Sequence, residues 1–409
     1  MQRALIMAAI TFVVVLCTEA IARDHGYIFG TVYTEWGDEY TGRIRWDKNE
    51  GFWDDLIDAT KYDDERYESR HRRRDRDGIE IFGLHIRGDD INWDWNSSSQ
   101  LRFGHIVEIE PRSRGRATVQ LKSGERIRFE DSGSDLGSGI RGIEMFIDGE
   151  GTIELEWSDI DRVEFYPEPD GYTPPRGPME RLYGHIVTAE GAEFTGFVMW
   201  DADEIYTSDI LDGDQRGRDR EIRFEAIESI ERNSSRSCNV VLKSGREMKL
   251  SGSNDVDSGN RGIYMLVPGL GQIKVEWDEF EKLTFMTPPA HIQPTYDDFD
   301  GGRRLRGTVT DDRGDKFTGE ITWDNDERYS WEFINGEEDY IEYDIELQEI
   351  ASIERRSSRS ASLILRNGTR LELRGSNDVD DDNKGIFIDT DDGKLVEIEW
   401  DDFERVDFE

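Results

Sequence analysis

Cysteine is nearly absent from this chain. Its 409 residues hold two, Cys17 and Cys238. The first lies in an N-terminal segment that reads as a leader, so the mature chain can close no internal disulfide and must rely on packing or ions. Positive charge is also scarce: 51 Lys and Arg stand against 91 Asp and Glu, a formal charge of -40. A nucleic-acid backbone is thereby excluded as the general partner, because phosphates require a basic footprint. Solubility and attraction for cations follow instead. Proline is rare, and eight of the ten prolines crowd into two short stretches, PEPDGYTPPRGP over 167–178 and TPPAHIQP over 287–294.

Long apolar runs are missing as well. Arg3 precedes an apolar run over 4–17 and then Ala20-Ile21-Ala22, which reads as a signal peptide over 1–22 cleaved after Ala22. The run is shorter than the roughly 20 residues that cross a bilayer, and no later segment is apolar enough to do so. The expectation is a secreted or periplasmic protein with no membrane span after signal removal. Hydrophobic and charged residues each make up 35 % of the chain, yet 11 Trp, 14 Tyr and 19 Phe supply enough large apolar surface for several small cores.

What is present is repetition. YIFGTVYTEWGDEYTGRIRWDKNE begins at Tyr27, RLYGHIVTAEGAEFTGFVMWDADE at Arg181 and RLRGTVTDDRGDKFTGEITWDNDE at Arg304. The copies close alike, with IELEWSDIDRVEF from Ile153, IKVEWDEFEKLTF from Ile273 and VEIEWDDFERVDF from Val396. Gly184 and Phe285 stand 101 positions apart, as do Gly307 and Phe408, whereas Gly30 and Phe165 are 135 apart. The first copy therefore carries about 34 extra residues, after Trp46, around DDERYESRHRRRDRDG. Proline stiffens an extended chain and cannot serve a sheet ladder, so the two proline-rich stretches read as linkers. The predicted organisation is β repeat 1 over 24–166 with an arginine-rich insertion, a linker over 167–180, repeat 2 over 181–286, a linker over 287–303 and repeat 3 over 304–409.

Within a copy the hydrophobic period is two, as in FTGFVMW, and Ser123-Gly124, Ser244-Gly245 and Asn367-Gly368 mark hairpins. For Asn-Gly the expected turn places both residues at positive φ. Runs with a helical period are hard to find, so the fold class is all-β. Midway through copy two the spacing is Ile222-x-Phe224-x-x-Ile227-x-x-Ile230, and at its end Val275-x-Trp277-x-x-Phe280-x-x-Leu283. A change from period two to three and back predicts strand, one tight helical turn, strand, twice per copy. That rhythm, with the glycine-rich hairpin openings, resembles the closing strands of Sm-like small barrels, and implies two small barrel-like halves in each of three tandem repeat domains. Triplication of this style also resembles exported bacterial tandem-repeat proteins of unknown function, which implies export. A fold of this kind hosts many unrelated activities and implies none.

Several side chains invite chemistry. Trp46, Trp200 and Trp323 share one repeat position and Trp157, Trp277 and Trp400 another; each set serves either as a small-barrel core or as a platform for sugar rings. The turns Asp47-Lys48-Asn49-Glu50, Asp201-Ala202-Asp203-Glu204 and Asp324-Asn325-Asp326-Glu327 offer clustered oxygens to calcium, and equally suit solvated turns. GSNDVDSGNRGI over 252–263 and GSNDVDDDNKGI over 375–386 place acids at alternate positions: Asp255 and Asp257 in one, Asp378, Asp380 and Asp382 in the other. These five residues are the tentative calcium ligands. In copy three they occupy the first, third and fifth places of an EF-hand-like run with Asp389 at the twelfth, although Asn383 stands where that motif needs glycine. All three copies retain a base, glycine and isoleucine, at Arg141-Gly142-Ile143, Arg261-Gly262-Ile263 and Lys384-Gly385-Ile386, which suits a turn feeding a strand.

Catalytic signatures are lacking. Six histidines stand at 25, 71, 85, 105, 185 and 291, none common to all copies, and no nucleophile elbow, zinc motif or phosphate loop occurs. Carboxylate pairs discriminate nothing among 91 acids. The block Arg70-His71-Arg72-Arg73-Arg74-Asp75-Arg76 is the one basic run; it reads either as a site for an anionic polymer or as a solvated insertion paired with nearby acids. Cys238 aligns with Ala117 and Ala361 and reads as a small buried residue. The function expected from these features is an exported, non-enzymatic binding or scaffolding protein with a protein or glycan partner and weak calcium binding. The alternative is a carboxylate-dependent hydrolase built on one divergent repeat.

Overall fold

The computed structural model describes residues 26–61, 79–81, 84–86, 98–112, 115–130, 135–175 and 179–409. The leader over 1–22 and the basic block over 70–76 lie outside them. Among the described residues the chain is all-β, with short 3-10 turns and no α-helix. The first unit contains β1 (Phe29–Thr34), β2 (Glu39–Trp46), β3 (Leu56–Lys61), β4 (Ile79–Ile81), β5 (Leu84–Ile86), β6 (Ser98–Arg102), β7 (Ile106–Arg112), β8 (Arg116–Leu121), β9 (Arg126–Glu130), β10 (Ile143–Ile147), β11 (Gly151–Leu155) and β12 (Ile160–Phe165). The second contains β13 (Tyr183–Thr188), β14 (Glu193–Met199), β15 (Ile210–Asp214), β16 (Asp219–Arg223), β17 (Ile227–Ser234), β18 (Ser237–Leu242), β19 (Glu247–Ser251), β20 (Ile263–Val267), β21 (Gly271–Val275) and β22 (Phe280–Phe285). The third contains β23 (Arg306–Asp311), β24 (Lys316–Thr322), β25 (Phe333–Glu338), β26 (Ile341–Glu346), β27 (Ile350–Ser357), β28 (Ser360–Leu365), β29 (Arg370–Arg374), β30 (Ile386–Thr390), β31 (Leu395–Ile398) and β32 (Phe403–Phe408).

One pairing path runs through all three units. In the first it is β11-β10-β2-β1-β12-β7-β8-β9-β3-β6. In the second, antiparallel pairs give β21-β20-β14-β13-β22-β17-β18-β19-β15-β16. The third gives the equivalent order from β31 to β26. Each path divides into two five-stranded halves of the same internal order. One half takes its first three strands (β20, β21, β22) from the end of the unit and its last two (β13, β14) from the beginning; the other uses β15 to β19 in sequence. The halves join where their equivalent third strands, β22 and β17, pair antiparallel with Ile230 opposite Leu283, which makes the junction a local twofold.

Local sequence explains the strand ends. The period-three interludes form 3-10 turns at Phe224–Ala226, Trp157–Asp159 and Trp400–Asp402, each burying its first residue. The Ser-Gly and Asn-Gly pairs do close hairpins, but Leu242 N–H reaches Arg246 O and Leu365 N–H reaches Thr369 O, so the loops have three residues. Only the glycine in each is left-handed, Gly245 at φ 79° and Gly368 at 91°. The two-residue turn expected for Asn-Gly is thus replaced by a three-residue loop with a left-handed glycine at its last position, the other common hairpin connection. In YTG and FTG the glycines at 42, 196 and 319 serve a different need. A Cβ on any of them would strike the carbonyl oxygen of Phe146, Leu266 or Asp389 on the adjoining strand.

The units pack on one another. β21 pairs with β26 across units two and three, with Ile273 opposite Tyr343, and one hydrophobic core spans both. The proline-rich segments are packed as well. Glu168 is buried against Arg43, Nε to Oε2 2.5 Å. Tyr296 enters the core of the first unit and donates its hydroxyl to Ile106 O at 2.8 Å, so the connection between units two and three is anchored on unit one. A small core of Phe52, Phe146, Met179, Ile205 and Tyr206 closes the contact of units one and two.

Candidate functional site

The six recurring tryptophans settle first. Trp46, Trp200 and Trp323 are fully buried, and Trp157, Trp277 and Trp400 are at most 8 % exposed. They are core residues, as large apolar rings at strand ends should be. Their indole N–H groups need acceptors in that interior, and the acidic phrases supply them. Trp46, Trp200 and Trp323 donate Nε1–H to the carbonyls of Asp135, Asp255 and Asp378 at 2.7, 3.0 and 3.0 Å. The carboxylate of each aspartate turns the other way: Oδ2 accepts the backbone N–H of Asp58, Asp212 and Asn335 at 2.6, 2.6 and 2.7 Å. One buried aspartate per unit therefore ties the central tryptophan to the strand that opens the second half.

The turn that follows each of these tryptophans closes the same knot. Trp200 and Glu204 exchange backbone hydrogen bonds at 2.9 and 3.0 Å, forcing Asp201 and Ala202 into the left-handed region at φ 50° and 63°. The Asp201 carboxylate accepts the side chain of Asn254 and the N–H of Arg261. Asp324 does the same with Asn377 and Lys384. Thus the acidic phrase and the acidic turn, more than 50 positions apart in sequence, meet through Asp201 and Asp324.

Of the expected calcium ligands, Asp255 and Asp378 are buried in these knots. Asp257 accepts Gly259 N–H at 2.8 Å and Asp380 accepts Asp382 N–H at 3.0 Å within their own loops, while Asp382 is exposed. Asp389 sits on β30 opposite Glu320 of β24. The carboxylates that the structure gathers are others. Among the described residues, Asp201, Asp203 and Glu204 each place an oxygen within 4.8 Å of the other two, and Asp324, Asp326 and Glu327 do likewise. Both sets are the turns after the tryptophan, whose signal in the sequence was the recurring Asp-x-Asp-Glu.

Burial favours the neutral acid at several of these carboxyls. Burial, then the neighbouring Asp203 charge, pushes Glu204 up to about 10. Burial, then the charge of Asp326, pushes Glu327 well above the usual carboxylate range, and Asp324 rises to about 7 mainly through burial. Glu50 is raised for the same first reason, with Asp135 adding to it. Asp255, and Asp55 despite its contact with Arg181, both rise to about 6, again chiefly by burial.

These shifts have a definite sign. A carboxyl whose folded value lies above its unfolded one binds more protons when folded, so stability falls as pH rises. For Asp55 and Asp255 the loss spans the window from the ordinary value, about 4, to about 6. In chelator-treated buffer the urea midpoint is therefore expected to be higher at about pH 5.5 than at about pH 8. A midpoint that is flat or rises with pH across that interval would show these acids to be compensated in the fold.

His105 and His185 are placed as framework. His105 is fully buried; its Nδ1 accepts Gly301 N–H at 3.0 Å, so the proton lies on Nε2 and is donated to Glu346 Oε1 at 2.9 Å. His185 Nδ1 meets the Thr195 hydroxyl at 2.8 Å. Cys238 is free and buried, its thiol pushed by burial up to about 12, as suits a position that holds alanine in the other units. The chain matches no family model, and neither a curated protein nor a solved structure matches it.

Proposed function

We propose that this is an exported, non-enzymatic binding or scaffolding protein whose three units offer a fixed surface to a protein or glycan partner. The observation that carries the reading is where the recurring residues point. The repeated tryptophans and aspartates are turned inward onto one another, so what has been multiplied is framework. Buried ion pairs hold the units together: Arg181 with Asp54 and Asp55, each at 2.6 Å, and Arg102 with Glu346 at 2.9 Å. A preset spacing of binding faces raises affinity for a repetitive partner without ordering cost on contact. Trp36 is the exposed tryptophan among the described residues, 56 % accessible on the first unit, and is the natural aromatic face for a sugar ring.

The test is to screen the purified mature chain on glycan arrays and against panels of glycan and peptide substrates. Saturable binding without turnover is the expected result. Turnover that disappears on replacing a single Asp or Glu would replace this reading with the hydrolase.

A further inference from the structure

Units two and three carry equivalent hairpins whose tips bear opposite charge. β15 and β16 are joined by Arg216-Gly217, with Asp214 opposite Asp219 and Gln215 N–H reaching Arg218 O at 2.8 Å. β25 and β26 are joined by Asp339-Tyr340, with Glu337 opposite Glu342 and Glu338 opposite Ile341. Both central residues are left-handed in each loop, at φ 59° and 78° in unit two and at 52° and 63° in unit three, as a two-residue hairpin requires. Unit two thus presents Gln215, Arg216, Gly217 and Arg218 where unit three presents Glu338, Asp339, Tyr340 and Ile341. Arg216 and Arg218 are exposed and, among the described residues, form no ion pair, although the chain has 91 acids to 51 bases. Asp339 is exposed and forms none either. Tyr340 is 60 % accessible, and its left-handed backbone is strained for a bulky side chain where Gly217 is at ease. Strain of this kind persists where a residue serves a purpose beyond its own segment.

We infer that the unit-two tip of one molecule docks on the unit-three tip of a second copy of this chain. Arg216 and Arg218 pair with Asp339 and Glu338 across the contact, and a guanidinium lies over the Tyr340 ring. Arginine–carboxylate and arginine–aromatic contacts are the kinds that anchor small interfaces. A second copy is the occupant because the complementary charges stand at equivalent positions of one and the same chain, each left without an ion pair at an exposed tip. The two tips are different patches, so the contact is heterologous and can extend beyond a dimer. At about 0.15 M salt the Debye length is about 8 Å, which mutes the general repulsion of so acidic a chain while leaving charges in contact free to act. The inference does not rest on the protein or glycan partner proposed above.

The experiment is sedimentation velocity of the full mature chain at about 0.15 M salt, in which the average coefficient is expected to rise with protein concentration. Two charge-reversed variants follow, Arg216→Asp with Arg218→Glu, and Glu338→Lys with Asp339→Arg. Each should weaken self-association roughly tenfold or more, because like charges then face one another. Mixing the two variants should restore association, since each offers the tip that the other lacks, and both remain strongly acidic, so attraction between whole molecules does not account for it. Tyr340→Gly separates contact from folding: it should raise the thermal midpoint by relieving the left-handed tyrosine while weakening association. A wild type that sediments as a monomer at every concentration overturns the proposal. So do charge-reversed variants that associate like the wild type, a mixture that stays dissociated, or a Tyr340→Gly chain that associates as tightly as the wild type.

Discussion

Glu346→Ala is expected to lower unfolding stability by about 3–5 kcal/mol, the cost of stranding a buried cation. Glu346 ends β26, and its side chain is 3 % exposed. It receives Arg102 Nε at 2.9 Å on one oxygen, and His105 Nε2 and Gln348 Nε2, both at 2.9 Å, on the other. Arg102 is itself 8 % exposed, with its other hydrogen bond to Asp54 O, also 2.9 Å, and its guanidinium 5.5 Å from the centre of the Phe333 ring. Removing the carboxylate therefore leaves a guanidinium and an imidazole facing a cavity between units one and three. Arg223, at the aligned position of unit two, provides the control. Its side chain is 63 % exposed and only 4.0 Å from Glu225, so Arg223→Ala should stay within about 0.5 kcal/mol. Replacing both partners, Arg102→Met with Glu346→Leu, should restore most of the loss, because the desolvation cost of both charges goes with them. Urea unfolding of the four proteins decides the matter: equal midpoints for Glu346→Ala and Arg223→Ala would mean the pair contributes nothing to the assembled fold.

Trp200→Ala should be the most damaging change within a single unit, costing about 3–5 kcal/mol. The ring is fully buried and meets Phe280, Trp277 and Phe224 at centroid distances of 5.4, 6.4 and 6.5 Å. Trp200→Phe separates two contributions. It keeps much of the apolar volume but strands the Asp255 carbonyl, so a loss of about 1–3 kcal/mol is expected. Trp36→Ala, at an exposed ring whose Nε1 reaches only Asp38, should change stability by no more than about 0.5 kcal/mol. Should Trp200→Ala unfold no more easily than Trp36→Ala, the knot that joins tryptophan, aspartate and the next strand is not the unit's mechanical centre.

Period two in FTGFVMW, the glycine hairpins and the period-three interludes are properties of adjacent residues, and they determine strand, loop and 3-10 turn because backbone preference and side-chain direction act over a few positions. The threefold recurrence is legible for the same reason: equal spacing of the same residue types needs no partner to be seen. Non-local partners are another matter. Asp255 and Asp378, read as members of a loop, sit at alternate positions that look like an ion's ligands; in the fold their carboxylates are taken by the N–H of Asp212 and Asn335, groups 43 residues away in both cases. Whether Asp201 and Asp324 face water or a knot depends on where β20 and β30 lie, and no composition of the turn carries that. Arg102 and Glu346 occupy equivalent positions of different units, a substitution that looks incidental until the units are docked and the two charges meet at 2.9 Å. The sequence alone determined the all-β class and the rhythm of its strands, since these follow from local sterics and periodic burial. Only the tertiary structure decided which acids are framework and which meet a base from another unit, because charge pairing at a few ångströms is set by the packing of distant strands.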